Sequence, residues 1–409
     1  MIRTCQYRIY PNKKTTKILN YTIELCRQLY NAALTERKEA YRSSQISLNY
    51  YSQTKELPAT KLENPELNDV YSQVSQDVLK RLDNAYNLFF NRVKSKNRLG
   101  KKAGFPRHKS RDNYNSITYP QSGFKLIHKS KSTNKGILQL SKIGDIKTII
   151  SREITDGDIK TCTVKRNKIG QWYVDLTVEF PDAVKIPLEQ IKEEEIIGVD
   201  VGINKLAVLS NGVEIENPKL ISKYEKGIKT LQTLLSKSKK HSYNRAKIRK
   251  KLAKKQLKLA NTLKDSLHKA SNQIVKSGNI IVFEDLNVQG MVQNHNLAKS
   301  ISDGSWSKLM DMCDYKAENA GKCTQFVDPR DTSQLCSRCG AAVKKDLSIR
   351  IHNCNNCGLT IDRDLNAALN IRERYMRLAW NSVKMPVDAP TTAYSIEQVG
   401  AMKQEDTSS

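Results

Sequence analysis

The sequence has 409 residues, 38% of them hydrophobic, which is enough for about two to four domains with ordinary cores and excludes a chain that is disordered throughout. Lys and Arg number 69 against 42 Asp and Glu, and the formal net charge of +27 indicates a polyanionic partner. No apolar run approaches the roughly 20 residues that a membrane span needs, and the first residues, MIRTCQYRIYPNKK, contain no apolar signal core. We therefore expect a cytoplasmic protein without a membrane partner.

The first hundred residues combine one strand with helices. Residues 5–10 alternate in the manner of a strand, and residues 13–42 carry apolar side chains at three- and four-residue steps, which predicts a helix. The polar segment 43–66 contains two prolines and is predicted to be a loop. A second helix follows, with one apolar stripe formed by Val74, Val78, Leu82, Ala85, Phe89 and Val93.

Residues 92–111 form a basic loop. Nine of them are Lys or Arg and none is acidic, while two glycines and Pro106 prevent a long helix. Phe105 lies among the charges, and a basic segment with an aromatic residue suits a nucleic-acid backbone, although a solvated linker is the alternative. The candidate contacts are Lys101, Lys102, Arg107 and Lys109.

Residues 116–180 are predicted to be all β. From Trp172 to Phe180 apolar and polar residues alternate, and turn signals recur at Asn134–Gly136, Asp156–Gly157 and Asn167–Gly170. Several short strands separated by such turns predict a small barrel. Residues 182–195, with Pro187 and three consecutive glutamates, are predicted to be a linker.

The remaining elements have the order β-β-β-α-β-α-β, which is the RNase H-like arrangement. IIGVD and LAVLS are strands, Asn211-Gly212 is a hairpin turn into VEI, and residues 280–283 and 325–327 are further strands. The helical region 223–277 is strongly cationic, with candidate nucleic-acid contacts at Lys247, Arg249, Lys250 and Lys254. A tail from residue 381 has little periodicity and is predicted to be disordered.

Four cysteines form two closely spaced pairs. Cys336 and Cys339 are separated by two residues, fourteen residues follow, and Cys354 and Cys357 repeat the spacing. Each pair is followed by a glycine, which permits a tight turn, so four thiolates close a tetrahedral site for one structural Zn²⁺. His352 is a weak substitute ligand, and we expect it to be solvated.

Three acidic positions lie at the ends of predicted elements. Asp200 ends the strand IIGVD, Glu284 follows the strand IIVF, and Asp364 starts a helix. A phosphodiesterase that uses two Mg²⁺ ions about 4 Å apart needs such carboxylates on rigid elements. Periodicity leaves two choices open, because Glu284 and Asp285 are adjacent, and Asp362 and Asp364 differ by about 200° around a helix.

The motifs IGVDVGINK, IVFEDL, TSQLCSRCG, CNNCGL and DRDLNAALNI resemble the RuvC-like nuclease of TnpB proteins, and SQDVLKRLDNAYNLFFNRVK, GFPRHKS and LSKIGDIK resemble their N-terminal half. The resemblance covers roughly residues 1–380 and implies Asp200, Glu284 and Asp364 as the catalytic acids that hold two Mg²⁺. It also implies a prokaryotic, nucleoid-associated, RNA-guided DNA endonuclease, monomeric in its ribonucleoprotein. Its partners would be a guide RNA from the transposon end and double-stranded DNA that is cut beside a short transposon-adjacent motif.

The implied fold class is multidomain α+β and α/β. The domains are a β-barrel wedge domain (1–12 and 112–185), a helical recognition domain (13–111), an RNase H-like RuvC nuclease domain (190–330 and 359–380) and a zinc ribbon (331–358).

Several other functions compete with this one. A compact type V CRISPR effector has the same chemistry. A transposase would need strand-transfer chemistry, a nucleic-acid-binding repressor would have lost an acid, and a junction resolvase would not need the basic N-terminal half. An accessory nuclease without RNA guidance also remains open.

Overall fold

The computed structural model describes residues 1–95, 103–130, 134–187, 190–287, 305–346 and 349–383. The chain forms two compact units. The first contains Met1–Asp182 and Leu231–Lys255, and the second contains Ala183–Thr230 and Gln256–Ser409. No helix among the described residues is both long and apolar enough to cross a membrane. Most of the tail predicted to be disordered, from residue 384 onward, lies outside the described residues.

In the first unit, the described residues of Met1–Asp182 form three α-helices: α1 (Lys13–Ser44), α2 (Tyr50–Glu63) and α3 (Ser72–Lys94). The Asn12 side chain caps α1 by accepting a hydrogen bond from the Thr15 amide at 2.8 Å. Both apolar stripes predicted from the sequence bury residues against the core, among them Leu29 and Leu82.

The predicted loop at residues 43–66 is wrong, because most of this segment is helix α2. Asn49 and Ser52 form a capping box at its start, and Pro58 is accommodated inside the helix. Gln53 is buried, donates to the Ala33 carbonyl at 2.9 Å and accepts from Arg37 at 2.7 Å. This helix is therefore stabilised by polar contacts with α1 that no periodicity in its own sequence reveals.

A seven-stranded antiparallel sheet completes the first unit. Its strands are β1 (Ile2–Tyr10), β2 (Ser116–Tyr119), β3 (Phe124–Ser130), β4 (Lys135–Leu140), β5 (Gly144–Ile149), β6 (Asp158–Arg166) and β7 (Trp172–Glu179). Their order is β2-β6-β7-β1-β5-β4-β3, so β1 lies inside the sheet although three helices separate it from β2 in sequence. Within the described residues β2 and β3 are not paired with each other, so hydrogen bonds do not close the sheet into the predicted barrel. Its inward residues share one core with α1 and α3.

The second unit contains a five-stranded sheet in the order β10-β9-β8-β11-β12. Its strands are β8 (Ile196–Val201), β9 (Lys205–Leu209), β10 (Glu214–Glu216), β11 (Ile280–Glu284) and β12 (Cys323–Val327). The helices that follow in the chain are α4 (Leu220–Lys237), α5 (Tyr243–Ser277), α6 (Trp306–Asn319) and α7 (Arg363–Val383). The predicted order of strands and helices is confirmed.

The cationic helical region predicted for residues 223–277 is two helices rather than one. The chain turns between Lys237 and Tyr243, and His241 adopts a positive φ of 64° there. The Arg245 guanidinium group stabilises the turn by donating to the carbonyl groups of Leu235 and Ser238, the latter at 3.0 Å.

Helix α7 packs directly on the central strand β8, and Gly198 permits this. A Cβ atom at position 198 would lie 2.1 Å from the Ala368 carbonyl oxygen and 2.7 Å from the Arg372 nitrogen, both backbone atoms of α7. Only a residue without a side chain fits there. A short hairpin of β13 (Ile351–Asn353) and β14 (Thr360–Asp362) leads into the start of α7.

Candidate active site and metal centre

Asp200 and Glu284 lie side by side at the ends of neighbouring parallel strands. Strands β8 and β11 pair in parallel, and the last aligned residues are Val199 and Phe283. The next position in each strand is Asp200 and Glu284, so the register places these two residues next to each other on one face of the sheet. The carboxyl ends of parallel strands thus carry two of the three acids that the sequence singled out.

Helix α7 brings the third acid, Asp364, in its first turn. Its carboxylate lies 3.9 Å from the Arg350 guanidinium group. The Asp362 side chain instead caps the helix, accepting from the amides of Asp364 at 2.9 Å and Leu365 at 3.1 Å, and its other oxygen faces the Lys205 ammonium group at 3.7 Å. Asp362 is therefore engaged by the backbone amides at the start of α7, and the charges of both Asp364 and Asp362 raise the pKa of Asp200, that of Asp364 more strongly. We call Asp200, Glu284 and Asp364 the carboxylate cluster.

Asp200 is the member of the cluster on which the charges of the other two acids act. Burial raises the pKa of Asp200 well above its usual range, and the negative charges of Glu284 and Asp364 raise it further. Burial also raises the pKa of Asp364, with the Asp362 carboxylate adding to the effect and Arg350 opposing it. Like charges held together in a poorly solvated place favour a bound cation.

Glu284 is held by Thr332. Both residues are buried, with 9% and 3% of their surface exposed, and the Thr332 hydroxyl is hydrogen-bonded to Glu284 Oε1. Burial raises the pKa of Glu284, while the Thr332 hydrogen bond and the Arg374 charge lower it. The neighbouring Asp285 is exposed and its amide bonds to the Val327 carbonyl. Of the two adjacent acids, the structure brings Glu284 to the cluster.

The four predicted metal ligands come together completely. The sulfur atoms of Cys336, Cys339, Cys354 and Cys357 lie within 4.8 Å of one another, and the pairs Cys336–Cys357 and Cys339–Cys354 are each 3.6 Å apart. A tetrahedral Zn²⁺ with bonds of roughly 2.3 Å has edges of about 3.8 Å, which this spacing matches. In the part of the chain that the structure describes, the four cysteines are the one group of three or more acidic, His or Cys ligand atoms this close together. We call them the cysteine cluster.

The pKa values of two thiols in the cysteine cluster shift in opposite directions. The Asn356 side chain and the Ala341 backbone lower the pKa of Cys339 to about 6, which favours the thiolate. The Leu359 backbone lowers the pKa of Cys357, but burial and the neighbouring thiols outweigh it and raise this pKa to about 12.

The prediction that His352 is solvated is wrong. This residue is fully buried and its Nδ1 contacts the Lys345 ammonium group, so the hairpin strand β13 packs inward at this position.

The predicted nucleic-acid contacts are mostly exposed. Arg107, Lys247, Arg249, Lys250 and Lys254 face solvent. Lys109 is half-buried, with its ammonium group 5.6 Å from the Tyr30 ring centre and its backbone held by Asn31. Lys101 and Lys102 lie outside the described residues.

A cationic groove of about 670 Å³ lies beside the cysteine cluster, and the sequence did not single it out. Three arginines line it, together with Glu373: Arg338 from the first cysteine pair, and Arg374 and Arg377 from α7. The sequence also missed Thr332 and the side chains of Lys205, Asn366 and Asn370. These residues lie within the motifs TSQLC, GINK and DRDLNAALN, and that position was the signal by which the sequence could have identified them.

Comparison with protein families finds three matching segments: "Helix-turn-helix domain" at residues 1–45, "Probable transposase" of the OrfB_IS605 type at 175–295, and "Cas12f1-like, TNB domain" at 306–371. A "Putative RNA-guided DNA endonuclease" of Streptomyces pristinaespiralis is 32% identical over 376 residues, covering 90% of this chain and 88% of that protein. "Putative RNA-guided DNA endonuclease InsQ" of Escherichia coli (strain K12) is 31% identical, covering 85% of each chain. "TnpB-like protein MJ0751" of Methanocaldococcus jannaschii is 31% identical over 148 residues, covering 32% of this chain and 53% of that protein.

Solved structures share the fold at low sequence identity. The "Cas12f1-sgRNA-target DNA complex" contains a chain with a TM-score of 0.57 and 16% identity, covering 91% of this chain and 98% of that chain. The "mini-RNA-guided endonuclease CRISPR-Cas_phi3" gives a TM-score of 0.54 at 11% identity, covering 91% and 92%. The mixed α/β architecture described above is therefore one that occurs in solved structures.

Proposed function

This chain belongs to the TnpB family, and we propose that it is an RNA-guided DNA endonuclease that hydrolyses phosphodiester bonds at the carboxylate cluster. The observation that carries the proposal is the meeting of Asp200, Glu284 and Asp364 at one end of the five-stranded sheet. Two relatives of nearly the full length of this chain, both named as putative RNA-guided DNA endonucleases, support the same assignment.

The cluster would hold two Mg²⁺ ions. Carboxylate oxygens are the ligands that Mg²⁺ prefers, and the repulsion that Glu284 and Asp364 exert on Asp200 would be relieved by bound cations. The metals would supply an activated water and would stabilise the charge on both the attacking and the leaving oxygen. Glu284, whose Oε1 is engaged by Thr332, would bind a metal through its carboxylate, while the cap at Asp362 fixes the first turn of α7 and thereby Asp364.

The cysteine cluster would hold one structural Zn²⁺. Four thiolates complete the tetrahedron, which leaves no position for a reacting water. Zinc would thus fold the ribbon, residues 331–358, against α7. In the same scheme residues 190–330 and 359–380 form the RuvC-like nuclease domain, residues 1–12 and 112–185 the wedge domain, and residues 13–111 the helical recognition domain. The central place of β1 in the seven-stranded sheet supports the joining of 1–12 with 112–185.

The guide RNA and the target DNA would be bound through their phosphates. The net charge of +27 and the exposed side chains of Arg107, Lys247, Arg249, Lys250 and Lys254 support this. Sequence choice would come from pairing with a guide RNA from the transposon end, and the protein would read only a short duplex motif beside the cut. We propose that it acts as a monomer within its ribonucleoprotein in the cytoplasm of a prokaryotic cell.

One plasmid assay tests RNA guidance. The protein is combined with a matched guide, a scrambled guide or no RNA, and an Asp200→Ala protein with the matched guide controls for contaminating nucleases. We expect cutting with the matched guide alone. Equal cutting under all three RNA conditions would show that the nuclease is not guided by RNA. Absence of cutting under all three conditions would contradict the proposal that the protein is an active nuclease. Whether the chain serves a transposon or a CRISPR-like system is decided by sequencing the RNA that copurifies from cells with the native locus.

A further inference from the structure

Thr332 occupies a buried position between the two metal sites. It lies in the segment that leaves strand β12 and leads to Cys336, and 3% of its surface is exposed. Its hydroxyl is hydrogen-bonded to Glu284 Oε1 and lies 3.1 Å from the Pro329 carbonyl oxygen. A hydroxyl has one proton to donate, and an ionised carboxylate is the stronger acceptor of the two. The hydroxyl therefore holds Oε1 of Glu284 and restricts the rotation of this carboxylate.

Helix α7 holds the same segment from the other side. The Asn370 side chain donates to the Thr332 carbonyl at 2.7 Å and to the Leu335 carbonyl at 2.7 Å. One turn earlier, the fully buried Asn366 donates to the Leu335 carbonyl at 2.8 Å and accepts from the Ser337 amide at 3.0 Å. The first cysteine, Cys336, thus lies between two backbone groups that Asn366 holds.

These contacts connect the carboxylate cluster to the cysteine cluster by a short path. Glu284 is on strand β11 and Asp364 is on α7, and neither element contains a cysteine of the cluster. The segment from Thr332 to Ser337 contacts both elements and ends in the cysteine pair. Hydrogen bonds to metal-binding carboxylates from neighbouring groups orient those ligands, and losing such a bond typically weakens metal affinity about 10–100-fold.

We infer that Thr332 is a positioning residue that orients Glu284 for metal binding, and that Asn370 keeps Thr332 in place from helix α7. The inference rests on the proposed function only in that the carboxylate cluster binds a divalent cation. It does not depend on RNA guidance. Thr332 acts on the reaction through Glu284 and needs no contact with the DNA.

The test is the Mn²⁺ affinity of the full-length chain without nucleic acid, measured by titration calorimetry, together with zinc content and melting temperature. Thr332→Val preserves the shape and removes the hydroxyl, whereas Thr332→Ser retains it. The matched control is Thr360→Val, because the Thr360 hydroxyl also makes a side-chain hydrogen bond, to Asn353 at 3.1 Å, but on the exposed hairpin. Asp200→Ala identifies the part of the Mn²⁺ signal that belongs to the carboxylate cluster.

We expect Thr332→Val to weaken Mn²⁺ binding about 10–100-fold while zinc content stays at the parental value. Thr332→Ser and Thr360→Val should bind Mn²⁺ as the parent does, and Asn370→Ser should weaken binding in the same direction as Thr332→Val. Parental Mn²⁺ affinity in Thr332→Val overturns the inference. Should that variant fail to fold, parental affinity in a folded Asn370→Ser protein overturns it equally. If the parent and Asp200→Ala bind Mn²⁺ equally, the carboxylate cluster is not a metal site. The plasmid assay with a matched guide would still test RNA guidance separately.

Discussion

Replacing Gly198 by alanine should separate helix α7 from strand β8. The added Cβ would lie 2.1 Å from the Ala368 carbonyl oxygen, whereas real contacts of this kind are at least 3.0 Å. The neighbouring atoms belong to helix backbone, so no side chain can turn aside, and the helix must move by about 1 Å or the strand must bend. Because α7 carries Asp364 and β8 carries Asp200, the movement changes the distance between two members of the carboxylate cluster.

The expected loss of stability follows from the overpacking. Inserting a methyl group into a close-packed contact costs about 1–3 kcal/mol, and a folding unit of roughly 200 residues loses about 2–4 °C in melting temperature for each kcal/mol. The melting temperature should therefore fall by about 2–12 °C. A displacement near 1 Å can reduce the rate of a positioned reaction about 100-fold, so guided plasmid cleavage should slow by that order.

The assay compares thermal unfolding and guided cleavage of Gly198→Ala with the parent. Gly104→Ala is the matched control for stability, because it adds the same methyl group at a position where no heavy atom lies within 4 Å of the new Cβ. Parental melting temperature and parental cleavage in Gly198→Ala would refute the close approach of α7 to β8 and the placement of Asp364 that depends on it.

The remaining predictions concern the acids, the cysteines and the basic loop. Changing any member of the carboxylate cluster to alanine should abolish cleavage and leave guide-dependent DNA binding intact in a gel-shift assay, because affinity comes from phosphate contacts. Full cleavage by Asp364→Ala would instead assign the catalytic role to Asp362. Burial and its acidic neighbours raise the pKa of Asp200 above its value in the unfolded chain. Ionisation of Asp200 therefore opposes folding in full above the folded-state pKa, and this opposition declines as the pH falls from there and is gone below the ordinary pKa of an aspartate. Asp200→Asn should therefore melt at a higher temperature than the parent in Mg²⁺-free buffer at neutral pH, and a lower melting temperature would contradict the repulsion. Metal analysis should find about one zinc per chain, and Cys336→Ser should lose it and destabilise the nuclease unit; a zinc-free protein with full activity would exclude a structural zinc. Changing Lys101, Lys102, Arg107 and Lys109 together to alanine should weaken RNA binding and reduce its dependence on salt in filter-binding titrations, and an unchanged salt slope would exclude phosphate contacts by this loop.

Spacing alone specified the cysteine cluster. Two-residue spacing lets both thiols of a pair reach one ion, and the four sulfurs do lie together. Alternation likewise predicted β7, whose apolar residues from Trp172 to Val178 are buried, because in a strand the side chain at every second position faces the same way. These features depend on residues close together in sequence, so the sequence by itself determined them, together with the order of strands and helices in the second unit.

The choice between neighbouring acids needed the tertiary structure. Periodicity could not separate Glu284 from Asp285 or Asp364 from Asp362, since each pair is too close in sequence for the pattern to favour one member. Parallel pairing of β8 with β11 places Glu284 beside Asp200, and the capping of α7 engages Asp362 with backbone amides. The resemblance to a known family implied the same residues. For Glu284 the structure adds a contact between distant strands, and for Asp362 it adds a local helix cap that periodicity does not reveal.

Helix α2 and the proposed role of Thr332 also depend on distant partners, whereas the buried His352 contacts Lys345, seven positions away. Residues 50–63 have no clear apolar stripe, and their helix is held by Gln53 bonding to α1. Thr332 and Glu284 are 48 positions apart, and only the folding of β12 and α7 onto β11 and β8 brings them into contact. Local pattern thus determined most of the elements, though not helix α2, and the place where one metal can bind. The packing of sheet and helix decided which polar side chains meet, because hydrogen bonds and charge interactions act over a few ångströms whatever the separation along the chain.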